Sequence, residues 1–309
     1  MNTYLDCIPC FFKQALESSR MAGADKEMQK KMLNEIAAIL PGISLNSSPP
    51  EMGRIIYKLA NKLTGVRDPY LKIKEKSNKL ALGVYDKLRE RVESSEDRLL
   101  MTVELAIAGN IIDYGVKNSL NVELELEKIL AQESNVIREE KKILFDYSKF
   151  KKALLQAKRI LYLGDNAGEI LFDRILIEEI KRIDKNKSII FAVKEGPIIN
   201  DALMKDALDC GIDNVADIIS SGSDGPGTIL SICSEEFLSI YRDADMVISK
   251  GQGNFEALSD AKRDIFFLFI AKCPVIAQDV GARMGDIILI YHQGNKDIIE
   301  KEREVLDKI

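Results

Sequence analysis

The chain has 309 residues, of which 46% are hydrophobic and 30% charged, with a formal net charge of -5. That length supports a large core and two domains, since single cores rarely grow past about 250 to 300 residues, and the acidic balance without a basic stripe excludes a broad nucleic-acid surface. No segment approaches the ~18 apolar residues of a membrane span, and the start Met1-Asn2-Thr3-Tyr4-Leu5-Asp6 lacks a positive region followed by a long apolar run. The sequence thus predicts a cytoplasmic protein without a membrane partner. Its 5 cysteines, odd in number and scattered, do not form a disulfide framework.

From the N-terminus, apolar residues repeat at three and four over Leu5 to Met21, Lys26 to Leu40, Pro50 to Leu63, Pro69 to Arg91, Arg98 to Leu120 and Glu123 to Ala131. This predicts an α-helical domain over 1–150. Cys7 and Cys10 open it, spaced like half of a zinc knuckle, but no second pair follows and the single histidine is His292. Buried thiols on a helix face are the alternative to a structural zinc. Ser48-Pro49-Pro50 reads as a helix start, with Ser as cap and Pro in the first turn, and Gly42 and Gly65 sit where helices end. Asn110 and Asp113 lie three apart on one helix face and are candidates to reach a cleft and touch substrate, although ordinary polar helix residues share that spacing.

Over 151–309 the pattern becomes strand, turn, helix. Arg159-Leu163, Ser188-Val193, Val215-Ser220, Asp245-Ser249, Pro274-Ala277 and Ile287-Tyr291 alternate with helical segments, which implies an α/β domain with a mostly parallel, Rossmann-like sheet covered by helices on both faces. The expected carboxyl ends of the strands carry Asp165-Asn166, Lys194-Glu195-Gly196-Pro197, the Ser221 to Gly227 loop, Lys250-Gly251-Gln252-Gly253-Asn254 and Gln278-Asp279. Open α/β folds place their chemistry on that rim. Adjacent oxygen donors Asp165 and Asn166, following the apolar run Ile160-Leu161-Tyr162-Leu163 and Gly164, outline a hard-metal site, and a lysine in a glycine-rich turn suits a phosphorylated small molecule.

Gly164-Asp165-Asn166-Ala167-Gly168-Glu169, the stretch from Lys194 to Asn200-Asp201, Gly222-Ser223-Asp224-Gly225-Pro226-Gly227 and Lys250-Gly251-Gln252-Gly253-Asn254-Phe255-Glu256 together resemble the metal-dependent damage-control phosphatases, also known as domain of unknown function 89. Asp68-Pro69-Tyr70 and the Ala108 to Gly115 stretch add to the resemblance, which covers nearly the whole chain. The Cys7-Ile8-Pro9-Cys10 start is similar to the prokaryotic stand-alone branch. The resemblance implies a helical N-terminal domain packed on an α/β domain, with a divalent metal (Mg²⁺, Mn²⁺, Co²⁺ or Ni²⁺) in the cleft between them. It places the metal on Asp165, Asn166 and Asp201 and the phosphate-facing lysine on Lys250.

The residue chemistry allows that reading. Carboxylate and amide oxygens suit hard cations, and three protein ligands leave room for waters and a phosphate oxygen. Lys250 is expected to neutralise the phosphoryl oxygens, with the backbone amides around Gly222, Gly251, Gly253 and Asn254 approaching the phosphate. Asp201 has a rival in Asn200 and could instead cap the following helix. Glu169 is a candidate base, but a first-turn Glu is also what a helix N-terminus favours. Asp165 could act as a nucleophile, as in the haloacid-dehalogenase phosphatases, yet those carry Asp-x-Asp and here the second position is Ala167. Metal-assisted attack of water on a small phosphate monoester is therefore preferred. The competing readings are a Rossmann-like nucleotide-binding enzyme such as a methyltransferase, which the absence of Gly-x-Gly-x-x-Gly opposes, and a non-catalytic sugar-phosphate or metal-binding protein.

Overall fold

A computed structural model describes residues 1–110, 112 and 144–294. Five helices lead: α1 (Cys7–Met21), α2 (Lys26–Ile39), α3 (Pro49–Thr64), α4 (Leu71–Glu93) and α5 (Arg98–Ala108). Their ends follow the local chemistry. Asp25 accepts the Met28 N–H at 2.8 Å, the Glu51 carboxylate accepts the Ser48 N–H at 2.7 Å, and Gly65 closes α3 at φ 72°. The continuation expected to Leu120 and the helix expected over Glu123 to Ala131 fall outside the described residues.

After α6 (Tyr147–Gln156), strands and helices alternate: β1 (Arg159–Leu163), α7 (Glu169–Ile183), β2 (Ser188–Val193), α8 (Met204–Asp209), β3 (Asp217–Ser220), α9 (Glu235–Asp243), β4 (Met246–Lys250), α10 (Gln252–Leu258), β5 (Ile265–Ile270), α11 (Pro274–Val280) and β6 (Ile287–His292). The sheet order is β3-β2-β1-β4-β5-β6, parallel throughout except for β6, which runs antiparallel to β5 from Ile265↔His292 to Ile270↔Ile287. Two expectations are corrected here. Pro274-Ala277 is not a strand but the start of α11, because Pro274 occupies the first turn and the Cys273 Sγ accepts the Ile276 N–H at 3.5 Å; Gln278-Asp279 therefore lies in a helix, not on the rim. The missing strand is the all-apolar β5, buried on both faces of the sheet.

Alternation along β1 sends Ile160 and Tyr162 into one core and Leu161 and Leu163 into the other. Each fully buried Leu, Ile or Phe contributes roughly 1.5–3 kcal/mol. The first core draws residues from both sides of position 150. Ala81 and Leu88 of α4 and Val103, Leu105 and Ile107 of α5 share it with Tyr162, Phe172 and Phe191. Residues Leu99 and Thr102–Ala108 of α5 are all buried, as a helix apolar on every side must be, and this helix lies against α7, β5 and β6. Helices α1, α2 and α3 pack around a cluster of their own, built on Phe11, Met32, Ile36, Met52 and Ile56. Among the described residues no helix is long and apolar enough to cross a membrane.

The strand order reverses direction at β1, whose neighbours are β2 and β4. A crevice opens outside the carboxyl ends of strands at such a point.

Candidate metal and phosphate site

The chain leaves β1 through Gly164, where a Cβ would lie 2.7 Å from the Phe191 ring, so only glycine lets it pass this closely over β2. Asp165 and Asn166 then pair with the segment after β2. Asn166 and Asp201 form an isolated antiparallel bridge, the Ala167 N–H donates to the Asn200 carbonyl at 2.9 Å, and the Ala202 N–H donates to the Asp165 carbonyl at 2.8 Å. This short ladder brings the three expected metal ligands together, and Asp165, Asn166 and Asp201 are only 7%, 6% and 4% exposed. Gly251, at φ +80°, makes room for them: a Cβ there would fall 2.0 Å from Asp165 Oδ2.

Lys250 departs from the expectation. It is fully buried, and its ammonium donates to Glu169 Oε1 at 2.8 Å and to Asp173 Oδ1 at 2.6 Å, with the Tyr162 hydroxyl also donating to Asp173 Oδ1 at 2.8 Å. The lysine points beneath the rim into α7 and is not an open point charge for phosphate. Glu169 is a junction: its Oε2 accepts Asn166 Nδ2 at 3.0 Å and Asn110 Nδ2 at 2.8 Å. Asn110 thus holds Glu169 from the end of α5, with 4% exposure that leaves little of it to a substrate. Asp113 lies outside the described residues.

Three further sequence candidates have structural duties. Asn254 is buried and donates to the Lys250 carbonyl at 2.7 Å and the Gly164 carbonyl at 3.2 Å, while its Oδ1 accepts Thr228 Oγ1 at 2.9 Å. It stitches two turns together. Gly222 abuts the Ser234 backbone, where a Cβ would meet nitrogen at 2.5 Å, so its required contact is with the start of α9. Gly253 packs its carbonyl against Gly227, 2.3 Å from where a Cβ would stand.

Charge is crowded here. Burial, reinforced by Glu169 and Asp201, pushes the Asp165 carboxyl well above the usual range. Burial likewise raises Asp201 and Asp173 to about 6. Burial would raise Glu169 too, but the charges of Lys250 and Lys272 and the hydrogen bonds from Lys250 and Asn166 together outweigh it and hold that carboxyl low. The same two carboxylates, Asp173 and Glu169, overcome burial and raise Lys250.

These features fit a hard divalent cation. Asp201 Oδ2 is buried without a hydrogen-bond partner, its nearest cation being Lys194 Nζ at 3.7 Å. Among the described residues the buried carboxylates Asp165, Glu169, Asp173 and Asp201 outnumber the buried ammonium groups that act on them, Lys74, Lys194 and Lys250, and Lys74 is already paired with Asp68 at 2.7 Å, an excess of negative charge that a cation relieves. No three His, Cys, Asp or Glu among the described residues converge as a metal cage, so a cation here would need the Asn166 amide as a donor. Cys7 and Cys10 are free thiols, half-buried and exposed respectively, and burial raises Cys7.

Sequence reasoning missed Lys272. This half-exposed residue follows β5, and its charge draws Asp165, Glu169, Asp201 and the half-buried Glu256 downward together. An apolar run ending in Ala271-Lys272 was the available signal. Lys194, within 3.3 Å of Asn254 Oδ1, is the other ammonium at the crevice. The nucleotide-binding alternative loses its anion site, because the Gly168 N–H at the start of α7 is capped by Asn78 Oδ1 of α4 at 2.7 Å.

Comparison with known proteins shows the family of the chain. Residues 3–288 match the damage-control phosphatase ARMT1-like domain. The chain is 35% identical to a damage-control phosphatase of Pyrococcus horikoshii, covering 95% of this chain and 99% of that one. It is 32% identical to a damage-control phosphatase of Archaeoglobus fulgidus, over 91% of this chain and 96% of the relative. A crystal structure of a protein of the domain of unknown function 89 family from Pyrococcus horikoshii superposes with a TM-score of 0.84 at 32% identity, over 95% of this chain and all of that one.

Proposed function

We propose, from the premise that the chain belongs to the damage-control phosphatase ARMT1-like family and is a phosphatase, that it hydrolyses phosphate monoesters of small metabolites, sugar phosphates or damaged phosphometabolites, by attack of water. The observation that carries the reading is the bridge between Asn166 and Asp201, which converts donors distant in sequence into one buried cluster beside Asp165. Asp165, Asn166 and Asp201 hold a divalent cation, Mg²⁺, Mn²⁺, Co²⁺ or Ni²⁺. When bound, such an ion polarises the phosphoryl group and activates water.

The remaining residues divide the work. Lys272 and Lys194 supply positive charge at the crevice for the phosphoryl oxygens. Glu169, with Lys250 on one oxygen and two amides on the other, is a positioning residue and not the base: by accepting Asn166 Nδ2 it fixes which end of that amide is presented as a ligand. Lys250 balances Glu169 and Asp173 below the rim. Cytoplasmic location suits a protein whose cysteines are all free.

Phosphate release from p-nitrophenyl phosphate by metal-depleted protein, with each of the four ions restored in turn, tests the reading. Turnover should appear only with added ion and vanish in Asp165→Ala. Full activity in chelator would overturn the metal role, and ion binding without turnover of any phosphometabolite would leave a binding protein.

A further inference from the structure

Ile199 is the one non-glycine residue with a positive φ among the described residues, at 44°. A β-branched side chain in that region is a genuine outlier, since its Cβ crowds the backbone. The local geometry explains the conformation but not the residue. The Asp201 N–H donates to the Ile198 carbonyl at 3.0 Å, closing a tight turn with Ile199 at its first central position, where a positive φ is the preserve of glycine. Glycine would make this turn without strain, so the isoleucine side chain must supply something that the turn alone does not.

Its surroundings show what that is. Ile198 is buried in a small cluster with Tyr57 of α3 and with Tyr70, and Ile199 and Ile73 of α4 pack against that cluster. The turn is therefore gripped from both sides. Toward the sheet it is laddered to Asp165, Asn166 and Ala167 by backbone bonds; toward the helices it is wedged by Ile198 and Ile199. Strain of this kind persists only where the surroundings over-determine it, and it gathers where a side chain must be aimed.

We propose that Ile199 is a positioning residue, whose packing against the Tyr57 and Tyr70 cluster holds the strained turn closed and aims the Asp201 carboxylate at the cation, so that the N-terminal helices set the geometry of a ligand on the sheet rim. The proposal rests on the reading of Asp201 as a cation ligand. It also assigns a function to the contact between α3 and the segment after β2.

The test compares wild type with Ile199→Gly and Ile199→Val. Glycine adopts the turn freely and loses the wedge, whereas valine keeps the β-branch and most of the contact. In metal-free protein, exchange of the Asp201 and Ala202 amide hydrogens should quicken at least roughly tenfold in Ile199→Gly while the melting temperature is held up by released strain. Mn²⁺ affinity, read by calorimetry, should fall roughly tenfold to a hundredfold, with Ile199→Val near wild type. Unchanged amide exchange in Ile199→Gly overturns the wedge whether or not the ion binds. Faster exchange with unchanged Mn²⁺ affinity overturns its role in aiming Asp201. A wild type that binds no Mn²⁺ would instead count against the cation site itself, and the exchange comparison would still decide whether Ile199 holds the turn.

Discussion

The Lys250 ammonium donates to Glu169 Oε1 at 2.8 Å, and this bond sets the direction of a lysine that stands at the head of the glycine-rich turn after β4. Lys250 shares the strand face of Met246 and Ile248, the face packed toward α7. Glu169 and Asp173 lie one turn apart on that helix, so both carboxylates meet the one ammonium. Its partner Glu169 in turn engages Asn166, which makes the lysine a remote support of the proposed cation site.

Replacing Lys250 with methionine should therefore damage stability first. Two buried carboxylates would lose their counter-charge, a loss of about 3–5 kcal/mol. Adding Asp173→Asn to Lys250→Met should recover part of it, because fewer buried charges remain unpaired. Chemical denaturation of both variants checks this, and a Lys250→Met protein as stable as wild type would sink it.

Lys272→Ala should do the opposite. Its side chain is half-exposed, so stability should change by no more than about 0.5 kcal/mol. The value of kcat/KM should fall roughly 10², the scale of losing one preorganised electrostatic donor, with Mn²⁺ affinity near wild type. Steady-state kinetics and calorimetry on the same preparation separate the two lysines; normal turnover in Lys272→Ala would return the phosphate role to Lys194 alone.

Asp165→Asn should exchange activity for stability. The substitution keeps the shape against Gly251 and removes one charge from a buried cluster with Glu169 and Asp201. The metal-free variant should gain about 0.5–2 kcal/mol while phosphate release drops to background. Thermal melts and a phosphate assay decide the matter, and a metal-free Asp165→Asn that melts below wild type would show that the cluster carries no repulsion.

The metal-free protein should become more stable as the pH falls from about 7 toward about 4. Burial raises Asp173 and Asp201 from 3.8 to about 6 and Glu256 from 4.5 to about 7, so over that window the folded chain binds more protons than the unfolded one. Their effect reverses sign relative to Asp97, Glu179, Asp224 and Asp245, whose lowered values stabilise the fold above the ordinary carboxylate range and lose that contribution only in stronger acid. Saturating Mn²⁺ should flatten or invert the slope, since protons then compete with the ion. Melting temperatures at pH 5 and 7.5, with and without Mn²⁺, provide the measurement; a metal-free protein that melts higher at pH 7.5 contradicts it.

The amino-acid order by itself determined the elements whose signals are local. Helix starts at Ser48 and Asp97 follow from caps that their own neighbours satisfy, and β1 follows from an apolar run broken at Gly164. The adjacency of Asp165 and Asn166 at a strand end is likewise a local fact, and it pointed to hard-metal chemistry before any partner was visible. The helix at Pro274 and the strand β5 are local too: a proline suits a helix's first turn, and Ile265–Ile270 is an unbroken apolar run.

Tertiary structure decided everything that depends on which surfaces meet. Alternation gives Lys250 a face, but only the placement of α7 on that face puts Glu169 and Asp173 there to capture it. Lys272 comes to act on Asp165 and Asp201 because β5 lies next to β4, and Asp201 joins Asn166 because a backbone ladder forms between segments distant in the chain. The shared core of α4, α5 and the sheet is of the same kind. Periodicity shows that a helix has an apolar face; it does not show what will cover it, because that burial is non-directional and is settled only when the whole chain has collapsed.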